Sequence, residues 1–444
     1  MSALTAFLLA ALVASCLLLV SDAFRHRAGV LGLPFLAGVG MLGFLVPQAI
    51  GVARSPGMVP EAGLNKALVM CTLCTLALYW GWQKPARPAW FQARKQRYSP
   101  GALYVLGLVL LGTGLVGFFK LASLSGGIAA HFSTSGSYTL TWSGLPVMYY
   151  FFSIYLSPGL LICSLIALRM KRPLGLIPAA MAAAIQLATI VFLGRRSNTV
   201  DFLVSIGCIL YFARGWAPPR SLVLAAAPLI AIAMFLAPEY RSHSEIGGDQ
   251  EKLRQIDIGS TLDGVLKGTQ AEFWSLCYIV QITDENRLYQ YGAGFYNTFI
   301  AYFVPKLVFG EEAKANLFIP LPSVDHIANS EGWEMPYGGV STGPGTAYKE
   351  FWFLGAACFY FLGRFMKYLW TRATNSTDVV SQAMYAMALT CSVACLTNDM
   401  YAIYVPVFMF WLPVLWLMKA RLFRSGGCKR ATVAGRARPC LLAP

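Results

Sequence analysis

Two adjacent arginines, Arg195 and Arg196, stand in VFLGRRSNTVDFLVSIG with apolar sequence on either side. Ionisable groups at membrane depth are costly and point to function by default. Arginine also offers phosphate a planar fork of donors. Three more cations occupy similar edges of apolar segments: Arg241 in PEYRSHSEI, Lys306 in YFVPKLVFGEEAK and Lys349 in GTAYKEFWFLG. Groups able to carry a proton accompany them, namely Glu239, His243, Glu272, His326 and Glu350. As a set they suit a reaction in which a diphosphate departs while a general base activates an incoming hydroxyl. Each also has a plainer reading. A membrane-edge arginine snorkels to lipid headgroups, and a single carboxylate or histidine is commonly structural.

Other chemistries find no support. The chain has no GxxxxGK[ST], HExxH or GxSxG pattern, so nothing points to nucleotide hydrolysis, metalloprotease action or a nucleophile elbow. No metal and no cofactor is expected. Cys71-x-x-Cys74 lies in an apolar stretch without a second pair or nearby histidine, as small packing residues do. The long hydrophilic loop holds only Cys277, which excludes a disulfide framework there.

The elements that must position these groups are membrane spans. The chain has 444 residues, 57% hydrophobic and 12% charged, with a mean hydropathy of +0.57. Soluble domains carry about 25% charged residues. A span needs about 20 mostly apolar residues, and such stretches lie at 3–20, 29–52, 64–82, 101–119, 146–168, 174–193, 199–213, 221–237, 346–363, 381–397 and 402–418. The expected fold is an all-α polytopic membrane protein with about eleven transmembrane helices, within a range of about ten to twelve. The first stretch contains Val13-Ala14-Ser15-Cys16, like a lipoprotein cleavage box, but no basic segment precedes it and the apolar run continues to Val20, so an uncleaved span is expected.

The net charge of +15 is distributed in alternate connections: Arg25 and Arg27, Lys84 to Arg97, Arg169 to Arg172, Arg214 and Arg220, Arg364 to Arg372, and Lys419 onward. That alternation is the positive-inside pattern of a bacterial inner-membrane protein and not a nucleic-acid footprint. It puts the N-terminus outside and the C-terminus in the cytoplasm, with 419–444 as a basic cytoplasmic tail near anionic lipid. Four regions follow: spans one to eight in 1–237, a large periplasmic loop at 238–345, spans nine to eleven in 346–418, and the tail. The loop holds 14 of the 20 acidic residues against seven lysines and arginines. Within it, 270–282 and 293–309 are apolar but short or broken by Pro305, as interfacial or re-entrant helices are. Gly338, Gly339, Gly343 and Gly345 permit close backbone approach, and Pro344 favours a helix start near Thr346. Arg195 and Arg196 then face outward, against the charge bias.

Three segments resemble the oligosaccharide repeat-unit polymerases, the Wzy-type O-antigen polymerases. FLGRRSNTVDFLV resembles the family's arginine-bearing turn between central spans, YFVPKLVFGEEAK its Val-Pro-basic segment, and GGVSTGPGTAYKEFWFLG the end of its outer loop. In the last, Tyr348, Phe351 and Gly355 match a Tyr-x-x-Phe-Gly-x-x-Gly pattern, while Trp352 replaces its first Gly. Thr346 stands where an acidic residue is common and Lys306 where arginine is more frequent. The resemblance covers residues 185–365. It implies a GT-C-like membrane glycosyltransferase layout and polymerisation of undecaprenyl-diphosphate-linked repeat units into O-antigen, capsule or exopolysaccharide at the outer face of the inner membrane. Arg195, Arg196, Arg241, Lys306 and Lys349 would bind the diphosphate, and a base would come from His326, Glu272, Glu239, His243 or Glu350. The implied partners are the lipid-linked oligosaccharide, membrane lipids, a chain-length regulator and a flippase. Two alternatives stay open: glycan transfer of the O-antigen ligase type, and a lipid-linked oligosaccharide flippase or transporter. Transporters favour paired repeats, and the chain shows no two-half symmetry.

Overall fold

Lipid leaves backbone groups no water to bond, so apolar segments of this length must pair them internally as helices. A computed structural model describes residues 1–25, 27–55, 57–84, 99–133, 145–194, 196–243, 257–268, 271–304, 306–322, 341–375 and 378–403. Among these residues the chain is helical, without a strand.

The helices in order are α1 (Ala3–Arg25), α2 (Leu33–Gly40), α3 (Val46–Arg54), α4 (Glu61–Gln83), α5 (Pro100–Leu124), α6 (Ile128–Ser133), α7 (Leu145–Ile154), α8 (Leu156–Arg169), α9 (Ile177–Leu193) and α10 (Arg196–Arg214). There follow α11 (Arg220–His243), α12 (Ile258–Leu266), α13 (Ala271–Glu285), α14 (Ala293–Phe303), α15 (Lys306–Phe309), α16 (Glu311–Asn316), α17 (Gly343–Phe351), α18 (Ala356–Asn375) and α19 (Val379–Thr397). A π turn, Met41–Leu45, joins α2 to α3. Pro47 lacks the amide hydrogen that would continue the ladder, and the Val46 N–H reaches back to the Met41 carbonyl instead.

Among the described residues, eight helices are long and apolar enough to cross a membrane: Ala3–Phe24, Leu33–Arg54, Glu61–Gln83, Pro100–Leu124, Met148–Arg169, Pro173–Leu193, Arg220–Ala237 and Val379–Thr397. Each coincides with an expected span. Segment 199–213 falls within α10, whose first turns carry Arg196, Ser197, Asn198 and Asp201 and lower its hydropathy. Segment 346–363 is not one helix, because a 3-10 turn at Trp352–Gly355 separates α17 from α18. Segment 402–418 leaves the described residues after Ile403, and the tail lies outside them.

Close packing rests on small residues, as expected where apolar lipid competes with apolar side chains. A Cβ at Gly114 of α5 would meet the Leu156 backbone nitrogen at 2.8 Å, and one at Gly107 the Cys163 sulfur at 2.7 Å. Polar contacts sort the helix ends into two sets. At one end Thr5 donates to Asn65 at 2.8 Å, Tyr240 to the Val191 carbonyl at 2.6 Å and Thr346 to Asp399 at 3.0 Å. At the other, Trp82 and Gln83 donate to Asp22 at 3.1 and 2.9 Å, and Arg169 to the Phe212 carbonyl at 3.0 Å. The first set joins ends that the charge alternation assigns outside, the second ends it assigns inside.

Segment 270–282 forms α13, which at 15 residues is too short to span. It does not lie on a surface with one face covered. Phe273, Leu276, Cys277, Val280 and Ile282 are buried against α3, α4 and α17. Segment 293–309 breaks as expected, α14 ending at Phe303 and α15 beginning at Lys306.

The break after α17 has a backbone cause. Trp352 sits at φ 56° and ψ −147°, a region that suits glycine and strains other residues. Its side chain is 48% exposed, so little packing compensates. Among replacements at this position, Trp352→Gly is expected to give the higher thermal midpoint in detergent and Trp352→Val the lower. The gap should be about 1–3 kcal/mol, since a β-branched residue is worst placed there. Equal midpoints would contradict the strain.

Candidate functional site

Gly194 ends α9 in the left-handed conformation, φ 54°, and α10 restarts at Arg196. A cation at a helix N-terminus opposes the macrodipole, so other groups must hold it. The Arg196 guanidinium lies 5.1 Å from the centroid of the Phe44 ring, in the π turn, and that ring stacks on Phe235 at 5.2 Å. Arg196 Nη1 donates to Glu272 Oε1 in an ion pair whose side chains are 17% and 11% exposed. Glu272 lies in the first turn of α13, where the helix dipole favours an anion. The pair is incomplete: Arg196 Nε and Glu272 Oε2 are buried without partners. Two expected site residues 76 positions apart thus meet in one mostly dry contact.

No protein-family model, curated protein or solved structure matches this chain.

A second cluster forms around α17. Its start is Gly343, three residues before the expected Thr346, because Thr342 caps it by accepting the Gly345 N–H at 3.3 Å. Glu350 is fully buried. Its Oε2 accepts the Gly292 N–H at 2.7 Å, and its Oε1 accepts the Tyr401 hydroxyl. A Cβ at Gly294 would run into Glu350 Oε1 and the Tyr401 hydroxyl, so glycine is needed there. Lys349 Nζ lies 5.8 Å from the Tyr401 ring centroid. Thr346 donates to Asp399, so a carboxylate does stand beside this position, supplied from the end of α19. Burial pushes the Asp399 carboxyl above its usual range, against the Tyr401 N–H, Thr346 and Lys349.

Two further expected residues make contacts of their own. Glu239 accepts from Thr261 at 2.7 Å, tying α11 to α12. Lys306 pairs with Glu311 at 2.6 Å on an exposed surface, where ion pairs contribute little. Arg241 and His243 occupy the last turn of α11, their side chains outside the described set, and Arg195, His326, Gly338 and Gly339 lie outside the described residues. Among the described residues no three His, Cys, Asp or Glu side chains come together as a metal would require.

Sequence reasoning missed Asp284. It pairs with Lys66 of α4 and accepts from Tyr289 at 2.6 Å and Tyr348 at 3.3 Å, fastening α13 to α4 and α17. The Tyr348 of the resembling pattern was the available signal. Burial alone would raise the Asp284 carboxyl, but the bonds from Lys66, Tyr289 and Tyr348 outweigh it and hold the group below its ordinary 3.8. A carboxylate lowered on folding stabilises the fold above its ordinary value and loses that contribution as pH falls through its lowered one. Asp284→Asn is therefore expected to flatten the acid limb, its midpoint falling less than the wild type's as pH drops below about 4. Parallel curves would contradict this.

Proposed function

We propose that this chain joins undecaprenyl-diphosphate-linked oligosaccharide repeat units at the outer face of a bacterial inner membrane. The observation that carries the reading is Arg196: a guanidinium largely withdrawn from solvent, braced by an aromatic ring and one carboxylate, with its buried Nε still free. As the bond between the anomeric carbon and the diphosphate oxygen breaks, negative charge grows on the departing diphosphate. A fixed cation in a water-poor site stabilises that charge more than it stabilises the substrate. Among the described residues, Glu272 is the candidate base that touches a candidate phosphate ligand. When phosphate oxygens take its place on Arg196, Glu272 is released beside the reacting carbon, free to accept the proton of the acceptor hydroxyl. Lys349 and Arg241 supply further positive charge at the same membrane face, and the lipid carrier lies among the apolar helices.

Purified protein in proteoliposomes with labelled lipid-linked repeats tests the reading. The expected product is a ladder of longer glycans still on the lipid carrier. Translocation without new bonds would identify a flippase, and transfer only to added lipid A core a ligase.

A further inference from the structure

Gln48 of α3 is completely buried. Its Oε1 accepts the Phe273 N–H at 3.0 Å, one residue beyond Glu272. Its Nε2 has no partner. Turning the amide round does not cure this, because the NH2 would then face the Phe273 N–H, donor against donor. Gln48 stands one turn beyond Phe44, whose ring carries the Arg196 guanidinium. Two buried donors without acceptors, Gln48 Nε2 and Arg196 Nε, therefore belong to side chains bonded to adjacent residues of α13, Phe273 and Glu272. Leaving a buried donor unpaired is costly, and two together are the complement of an anion's oxygens.

We propose that Gln48 is a binding residue of this site, its Nε2 and Arg196 Nε donating to oxygens of one phosphate of the lipid diphosphate. This rests on the reading of the site as a diphosphate site. Glu272 moves off Arg196 as the phosphate arrives, and its place in the first turn of α13 gives it a helix N-terminus to remain against. Gln48 discriminates by offering donors alone on this side. Its NH2 has two donors and no acceptor, so it rewards an oxygen with lone pairs and gives nothing to a hydroxyl whose proton points inward.

The test uses the full chain in detergent, with inorganic pyrophosphate as probe and sodium sulfate at equal ionic strength as control. Gln48→Glu keeps an oxygen for the Phe273 N–H and loses the outward donor, whereas Gln48→Met loses both. Wild type should show a pyrophosphate-dependent rise in thermal midpoint. Both variants should need about ten- to a hundredfold more pyrophosphate for the same rise, the loss expected for one bond to a charged group. Without pyrophosphate both variants should fold with a lowered midpoint, Gln48→Glu because it takes a carboxylate into a buried position and Gln48→Met because it leaves the Phe273 N–H unpaired. No pyrophosphate-specific rise in wild type overturns the proposal, and so does wild-type affinity in both variants. Collapse of both variants without pyrophosphate also overturns it, since Gln48 would then serve only to hold α13. Chain lengthening in proteoliposomes is scored separately. Lengthening by wild type with pyrophosphate affinity intact in both variants removes Gln48 and keeps the polymerase. Affinity lost in the variants, with no lengthening by wild type, keeps the anion site and removes the polymerase.

Discussion

Arg196→Ala is expected to stop glycan lengthening and to lower the thermal midpoint together. One charge-assisted contact to the departing diphosphate is worth roughly 1.5–3 kcal/mol, about 10–150-fold in rate. The substitution also strands Glu272, whose side chain is 11% exposed, without its counter-ion. Removing one partner of a buried pair costs about 3–5 kcal/mol. The two losses separate in the double variant. Arg196→Ala with Glu272→Ala should regain much of the midpoint, because no buried charge is left alone, yet stay inactive. Arg196→Lys keeps the charge without the planar fork and should fall between wild type and alanine. Arg195 is the internal control. Neighbouring residues at a helix start point in different directions, so Arg195→Ala should be mild where Arg196→Ala is severe. Glycan ladders normalised to protein level read both. Two mild single variants and an active double one would show that the pair only anchors to headgroups.

Glu350→Ala is expected to disable the protein through its fold. Glu350 is fully buried and receives the Gly292 N–H and the Tyr401 hydroxyl. Alanine leaves both donors without an acceptor, at about 1–3 kcal/mol each, and opens a cavity at the junction of α17 and α14. Glu350→Gln keeps one acceptor and should retain a larger share of the midpoint. Activity per folded molecule should change little in Glu350→Gln if the residue is structural. A Glu350→Gln protein of normal midpoint without lengthening would make Glu350 the base instead.

The spans were legible because the transfer energy of a run of about 20 apolar residues outweighs local detail; among the described residues, eight such runs are helices long enough to cross a membrane. Consecutive spans run up and down, so the ends that meet could be read from their order, and Asp22 with Gln83 and Thr5 with Asn65 follow it. What stayed hidden depended on distance or on backbone. Arg196 and Glu272 each stood out singly, but nothing in the intervening residues announces that they meet. The break at Trp352 was invisible because a tryptophan gives no sign of positive φ; only the resembling pattern, with glycine there, hinted at it. Gln48 is one polar residue in an apolar run, and its unpaired nitrogen is a property of packing against Phe273. Thr346 shows the same limit, since its acidic partner, Asp399, comes from the far end of α19.

A lipid diphosphate reaches Arg196 from the outer leaflet only if α10 begins at that face. Single cysteines at two exposed positions test this directly in spheroplasts with a membrane-impermeant thiol reagent: Glu312→Cys in α16, and Trp216→Cys after α10. Labelling above the wild-type background at position 312, and at position 216 only after lysis, is the predicted result. Labelling at position 216 in intact spheroplasts with none at 312 would put Arg196, Glu272 and Gln48 on the cytoplasmic side and contradict an outer-face polymerase.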